Sequence, residues 1–498
     1  MRPLETPAVR AAVITVLALV ALRLVCAALT PLTFDEAYYW TWSKRLAGGY
    51  YDHPPMVALV IRLGTMIAGD TEFGVRLISV LLALPMSFAV YRSAMLLFDD
   101  LRTAATATIF LNLMLMVAAG TMIVTPDAPL MTASSFVLLC LAEVWATGRG
   151  AWWLATGVAV GAALVSKYTA LFFGPAILIW MLAVPELRRW LRSPWPYLGG
   201  LVSLAIFAPV LVWNADHHWV SFAKQFGRAR VDEFTLRYLA ELIPTQFVFA
   251  TPLVAVLAAM GLFALAAREE GTPAARVLIN ATVWPLTVYF IWHSLHSRVE
   301  ANWFGPVYPA LAIAAAVAAH VTPWEPRAAR AAVFCRRFAA PVAIAMFVAL
   351  AVQVNTGVLS GYRRDASVRS IGIGWRALAA EIEAVRAASG ARCVLAQSYG
   401  VTSWLQFYLP KGTCVAQRYE RIRWINAPQP TAEQLAGKLL YVDEGSGGWP
   451  PASAYFGHVE KAASLVRKRG PLAVATYEID VVDAPKTAVL APLPPEMR

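Results

Sequence analysis

Charge is scarce in this sequence. Only 15% of its 498 residues are Asp, Glu, Lys or Arg, against about 25% in an ordinary soluble chain. With 59% hydrophobic residues beside that deficit, a soluble globular enzyme is excluded. Cysteine is scarce as well. The five cysteines form no cluster, so nothing supports a cysteine-built metal centre. No nucleotide-binding loop is visible, nor any internal repeat, lipidation motif or terminal retention signal. The formal charge of +11 comes without a nucleic-acid-binding motif, so no nucleic acid is expected as a partner. In an apolar chain such an excess of Lys and Arg marks cytoplasmic loops and anionic headgroups instead.

What the sequence has in quantity is apolar runs. They recur over the first seventy per cent of the chain, each near the ~20 residues that cross a bilayer. The cores are 11–29, 77–98, 103–123, 128–147, 151–165, 170–184, 197–213, 247–267, 278–292, 304–319 and 339–354. The pattern predicts a polytopic α-helical membrane protein with about eleven transmembrane helices. The first run exceeds a signal-peptide core and contains Arg23, so it reads as a retained span. The fifth and sixth runs are short and read as one broken span or a tight pair.

The Lys and Arg bias sets the orientation. With the N-terminus inside, the cytoplasmic loops carry Arg102, Arg149, Arg188 to Arg192, Arg268, Arg276 and Arg327 to Arg337. The opposite side receives the loop after the first span, Thr125 to Asp127, Ser166 to Tyr168, 213–245 and 293–303. An odd span count places the C-terminal segment there too.

From about Gly357 the composition becomes that of a soluble domain. The expected division is 1–356, transmembrane and catalytic, and 357–498, a periplasmic α/β domain. Within the latter, 375–389, 401–409 and 459–467 read as helices. The runs 393–396, 413–416, 439–442 and 476–482 read as strands. Cys26, Cys140 and Cys335 read as free buried thiols. Cys393 and Cys414 sit on two neighbouring expected strands outside the membrane and are disulfide candidates.

The outward polar residues form a constellation. Asp35 and Glu36 stand together among aromatics at a membrane–water boundary, where a carboxylate loses hydration. An aromatic interfacial loop would look similar. Asp52 and His53 follow, then Asp127, Lys167, His293, His296, Arg298, Glu300, Asn302 and Trp303. Such a set suits a lipid-linked phosphate: cations hold the phosphate and a carboxylate handles a proton. Plainer readings stand beside these. Asp127 between two prolines can cap a helix, Lys167 can snorkel, and Arg298 with Glu300 can be an exposed ion pair. His217 and His218 are adjacent and lack ligand spacing, so no metal residues are assigned, though a divalent metal stays open.

The run Phe34-Asp35-Glu36-Ala37-Tyr38-Tyr39-Trp40, followed by Tyr51-Asp52-His53-Pro54-Pro55-Met56, resembles the first-loop signature of GT-C glycosyltransferases. More narrowly it resembles the branch with lipid A aminoarabinose transferases, lipopolysaccharide-core galacturonosyltransferases and bacterial relatives of protein O-mannosyltransferases. Thr125-Pro126-Asp127-Ala128-Pro129-Leu130 is similar to that branch's second acidic motif, and Ser166-Lys167-Tyr168-Thr169 to its lysine turn. Arg298-Val299-Glu300-Ala301-Asn302-Trp303, running into Pro306-Val307-Tyr308-Pro309-Ala310, is similar to its late motif. The similarity covers roughly 10–355, and more loosely the tail with Phe407-Tyr408-Leu409. One departure is His53 before Pro54-Pro55, where the aminoarabinose enzymes carry Lys.

The resemblance implies an inverting hexosyl, pentosyl or uronosyl transfer from a polyprenyl-phosphate-linked donor to a lipid or glycan acceptor. Asp35 would be the base, with Glu36 as its acidic neighbour. Lys167, Arg298 and His53 would hold the donor phosphate. Tyr38, Tyr51, Asp52, Asp127, Glu300, Asn302 and Trp303 would contact substrate. Membrane lipids are the remaining partners, and the expected site is a bacterial inner membrane with its periplasmic face catalytic. The rival expectation is a transporter or flippase of a lipid-linked sugar.

Overall fold

The computed structural model describes residues 6–227, 233–358, 370–445, 450–470 and 472–493. Among them, seven helices are long and apolar enough to cross a bilayer. These are Pro7–Leu29, Glu72–Phe98, Asp127–Thr147, Pro194–Asp216, Pro273–Ser294, Ala301–His320 and Pro326–Thr356. Three bent pairs raise the number to at most ten: Leu101–Leu113 with Leu115–Met122, Tyr168–Ala183 with Pro185–Arg192, and Arg237–Phe249 with Pro252–Ala267. The expected count of eleven is therefore not reached. Its fifth member is Ala151–Leu164, a helix of 14 residues. At 1.5 Å per residue it is only about 21 Å long, short of a hydrocarbon core of about 30 Å. Small residues set it tightly against a neighbour: a Cβ on Gly157 would lie 2.1 Å from the Gly199 carbonyl oxygen.

Arg23, fully enclosed in the first span, has a definite employer in the bent third span. Its guanidinium donates to the Asn112 side-chain oxygen at 3.2 Å and to the Asn112 carbonyl at 2.7 Å. Thr251 does the same for the other side of that bend, donating to the Leu113 carbonyl at 2.8 Å and accepting from Leu115 N–H at 3.1 Å. A helix broken inside a bilayer must have its freed backbone groups satisfied by protein, and these two side chains do so.

The segment between the first two spans is itself helical, over Phe34–Ser43 and Met56–Ala68. Thr33 starts the first of these helices. Its hydroxyl accepts from Glu36 N–H at 3.1 Å, and the Glu36 carboxylate accepts from Thr33 N–H at 2.9 Å. This reciprocal cap fixes the first turn, and with it Asp35.

The C-terminal domain is built on a five-stranded sheet. Its strands are β1 (Cys393–Ala396), β2 (Cys414–Gln417), β3 (Leu439–Asp443), β4 (Phe456–Arg469) and β5 (Leu472–Pro485), in the order β2-β1-β3-β5-β4. The first three pair in parallel, while β5 and β4 run antiparallel. Helices Trp375–Ser389 and Tyr399–Tyr408 flank the sheet. The helix expected over 459–467 is instead the middle of β4. Val459, Ala463 and Val466 have helical spacing, but β4 is paired with β5 from Phe456 to Arg469. That ladder overrides local preference. Cys393 and Cys414 lie opposite each other on β1 and β2 and are joined by a disulfide, with Cα atoms 4.6 Å apart.

This domain sits directly on the first loop. Tyr38, Trp42 and Tyr50 share one hydrophobic cluster with Trp375, Trp404 and Trp424. Hydrogen bonds fix the contact: Trp404 Nε1 to the Leu32 carbonyl at 3.0 Å, Asn426 Nδ2 to the Gly49 carbonyl at 2.8 Å, and Arg376 to Glu72 at 2.7 Å.

Candidate active site

The first loop, three helix ends and the C-terminal domain enclose a polar chamber of about 370 Å³. Asp35, Tyr38, Asp52, His53, Asp127, Lys167, Glu300, Asn302 and Trp303 all line it. These residues are spread over some 270 positions of sequence, and four of them come from element termini. Asp35 lies in the first turn of Phe34–Ser43, and Asp127 begins Asp127–Thr147. Lys167 precedes the short helix Tyr168–Phe172, and Asn302 lies in the first turn of Ala301–Val307.

Two charge clusters divide the chamber. In one, Lys167 Nζ donates to Asp127 Oδ1 at 2.7 Å, while Asn302 Nδ2 donates to Asp127 Oδ2, also at 2.7 Å. Both ionic side chains are nearly enclosed, at 8% and 1% exposure. In the other, Asp52 accepts from Arg423 at 2.7 Å and from the Tyr38 hydroxyl at 3.0 Å, and pairs with Lys224 at 3.0 Å. Burial alone would raise the Asp52 carboxyl, but Arg423, Lys224 and His53 hold it below the usual range.

Asp35 differs from its neighbours because, among the described residues, no cation pairs with it directly. Its Oδ1 accepts from the Tyr399 hydroxyl at 3.1 Å. Burial pushes its carboxyl from the ordinary 3.8 up to about 6, against the Tyr399 hydrogen bond; Asp52 and Glu36 add to the rise and Arg423 opposes it. A half-buried carboxylate of this kind is a competent base near neutral pH.

Three expected site residues are not brought into the chamber. Glu36 is fully enclosed behind it, on Arg76, with Arg76 Nε and Nη2 each 2.6 Å from a carboxylate oxygen. Its neighbour Asp35 faces the chamber because adjacent helical residues point about 100° apart. Arg298 is 66% exposed and pairs with Glu241 at 3.3 Å on the surface. It is therefore not placed to hold a donor phosphate inside. The Tyr51 ring meets the two cations that pair with Asp52, with Lys224 Nζ 4.2 Å and Arg423 Cζ 5.6 Å from its centre. The His217 ring stacks on Trp213, and its Nδ1 meets the Trp213 carbonyl at 2.7 Å, away from the chamber.

Conversely, Tyr399 and Arg423 line the chamber without having been expected there. Both belong to the C-terminal domain, and no local pattern marks them. Only the docking of that domain brings them within reach of Asp35 and Asp52. No cluster of three or more His, Cys, Asp or Glu with metal-site geometry occurs among the described residues.

A second cavity, of about 340 Å³, adjoins the chamber. It is apolar and aromatic, walled by Tyr168, Leu171, Phe172, Phe226, Tyr289 and Phe290. His53, Lys167 and Trp303 line both spaces and form the boundary between them.

Comparison with known proteins agrees with this architecture. Residues 52–213 match the family of dolichyl-phosphate-mannose-protein mannosyltransferases. The lipid A galacturonosyltransferase RgtD of Rhizobium johnstonii is 25% identical over 284 residues. That match takes in 56% of this chain and 59% of the relative, so the chain spans less than two thirds of that protein's length. The structure of ArnT from Cupriavidus metallidurans bound to undecaprenyl phosphate superposes with a TM-score of 0.64 at 18% identity, covering 97% of this chain and 99% of that one. The oligosaccharyltransferase of Archaeoglobus fulgidus superposes with a TM-score of 0.51 at 11% identity, covering 86% and 69%. Aligned helices, the matched segment and the C-terminal sheet domain together define the fold. This multi-pass membrane chain has the fold of the ArnT structures, a helical membrane body followed by a small sheet domain.

Proposed function

We propose that this protein is a glycosyltransferase that moves a sugar from a polyprenyl-phosphate donor to an acceptor hydroxyl at the membrane surface. The observation that carries this reading is the junction of the two cavities. A polar chamber holding a raised carboxylate opens, across His53, Lys167 and Trp303, into an aromatic cleft of membrane character. A sugar joined through phosphate to an isoprenoid chain has the same sequence of chemistries. The similarity to RgtD, and to ArnT with undecaprenyl phosphate bound, supports it.

The reaction is an inverting single displacement. The acceptor oxygen attacks the anomeric carbon while Asp35 takes its proton. The bond from that carbon to the phosphate oxygen breaks, and its electron pair leaves with the phosphate. Lys167, steered by Asp127, and His53 stand at the cavity boundary to stabilise the growing phosphate charge. Asn302 fixes the Asp127 carboxylate. Asp52, already paired with two cations, acts as scaffold, and Tyr38, Glu300 and Trp303 shape the sugar pocket.

The active face is assigned to the periplasmic side of a bacterial inner membrane. The Arg-rich loops at Arg188–Arg192 and Arg327–Arg337 fall on the opposite side by the charge rule. The catalytic membrane domain is assigned to 1–356 and the periplasmic domain to 357–498. Mass spectrometry of lipid A, core and glycoproteins, with and without the gene, tests the function. A sugar mass should vanish on deletion and return with the wild type but not with Asp35→Asn. A flippase would instead tolerate Asp35→Asn and show no transfer in detergent with both lipids supplied.

A further inference from the structure

The C-terminal domain does more than cover the chamber. Tyr399 is the first residue of Tyr399–Tyr408, a helix capped by Ser398, whose hydroxyl accepts from Val401 N–H at 3.3 Å. The Tyr399 ring is held on three sides. Phe34 meets it edge-on at 5.6 Å, Tyr38 lies at 5.2 Å, and the Arg423 guanidinium lies 4.2 Å from its centre. Arg423 is itself fixed, by Asp52 at 2.7 Å and Glu420 at 3.2 Å, and its carbonyl accepts from the Tyr38 hydroxyl at 3.2 Å. A rigid relay therefore runs from Asp52 through Arg423 and Tyr399 to Asp35.

We propose that Tyr399 and Arg423 are positioning residues through which the C-terminal domain fixes the rotamer of Asp35 and sets its basicity. This rests on the assignment of Asp35 as the base. Tyr399 donates to Oδ1, and among the described residues no other side chain donates to Asp35. Oδ2 is then the oxygen for the acceptor proton. The stacked guanidinium polarises the tyrosine ring and brings a positive charge near the carboxylate without pairing with it directly. A membrane domain without its partner would keep the acid and lose the means of holding it ionised in one orientation.

Other charged and titratable groups face the same carboxylate. Asp52 and Glu36 act to raise it and Arg423 to lower it. His53, Asp127, Lys167, Glu300 and Tyr39 line the same chamber. Of the groups that favour the ionised form, Tyr399 is the one in direct hydrogen-bond contact. Removing its hydroxyl leaves the burial in place and removes the main compensation.

The test uses the full-length chain in nanodiscs, with two readouts. Infrared difference titration, wild type minus Asp35→Asn, reports the Asp35 carboxyl without any substrate. Its midpoint near 6 should move upward in Tyr399→Phe, and upward too in Arg423→Gln. Arg423→Lys keeps the charge and should move it less. With a polyprenyl-phosphate-linked galacturonic acid donor and lipid A as probes, the acid limb of the pH profile should follow the same order. The donor KM should stay within about twofold in Tyr399→Phe. A residue that merely docks the domain would lower the melting temperature and leave the midpoint unmoved, and that result would overturn the inference. Turnover by Asp35→Asn would end the base assignment instead, and the infrared midpoint would still decide this one.

Discussion

Arg76 and Glu36 form a two-point ion pair that neither water nor the chamber reaches. Both side chains are fully enclosed, with two N–O distances of 2.6 Å. Arg76 also donates to the carbonyls of Ala27, Thr30 and Pro31 at the end of the first span. Glu36 accepts in addition from Val124 N–H at 3.0 Å, just ahead of Asp127. One pair thus ties the first span, the Asp35 helix and the Asp127 turn into a single frame.

The first prediction follows from that enclosure. Glu36→Gln or Arg76→Met alone leaves an uncompensated buried charge and should destabilise by about 3–5 kcal/mol. The double variant should lose much less than the sum of the two. Thermal unfolding in detergent measures this, and a Glu36→Gln shift below about 0.5 kcal/mol would contradict the frame.

Asp35 behaves oppositely, because its carboxyl is raised in the fold. The raised carboxyl costs stability progressively as pH climbs from about 4 and in full above about 6, and the rise from 3.8 to about 6 corresponds to about 3 kcal/mol. Asp35→Asn should therefore gain up to that amount at pH 8 and nothing below about pH 4. Its turnover should fall by at least ~10², and wild-type activity should decline as pH drops through about 6. Asp35→Glu should also fail, since a displaced carboxylate misses the acceptor. An active Asp35→Asn with unchanged stability would contradict both halves.

Lys167 and Arg298 should separate. Lys167→Ala removes the cation at the cavity boundary and strands buried Asp127, so donor use should collapse and stability should drop. Lys167→Met with Asp127→Asn should recover the fold but not the donor KM. Arg298→Ala removes an exposed ion pair and should stay within about 0.5 kcal/mol of wild type with near-normal turnover. Loss of donor use in Arg298→Ala would reinstate it as a phosphate ligand.

The disulfide between Cys393 and Cys414 closes a loop of sequence separation 21, which on the chain-entropy model stabilises the domain by about 3 kcal/mol. Both thiols should resist alkylation until reductant is added. Immediate labelling of the native protein would be the contrary result.

Reporter fusions after Arg189 and Arg330 should read cytoplasmic, and those after Asp52, His217 and Gly390 periplasmic. A cytoplasmic tail would move the chamber to the other face of the membrane.

Membrane helices were legible in the sequence because hydrocarbon imposes a local rule: a run of about 20 apolar residues needs no distant partner to be recognised. The bounds of Trp375–Ser389 and β1 were legible for a similar reason, through apolar spacing. Asp35, Asp127, Lys167 and Asn302 stood out as polar groups at span ends, where each is costly unless used. Span length near 151–165 was harder to read, because a short helix can be completed by close packing such as Gly157 on Gly199.

Three matters belonged to tertiary structure. That Asp35 faces the chamber while Glu36 is turned away onto Arg76 depended on how that helical turn packs. The strand over 459–467 depended on a β5 partner that outweighs local spacing. Tyr399 and Arg423 lie 364 and 371 positions from the acids they touch. Hydrophobicity is a property of a segment and can be read from it. A hydrogen bond or an ion pair is a property of two atoms a few ångströms apart, and the packing of the folded chain decides which two they are.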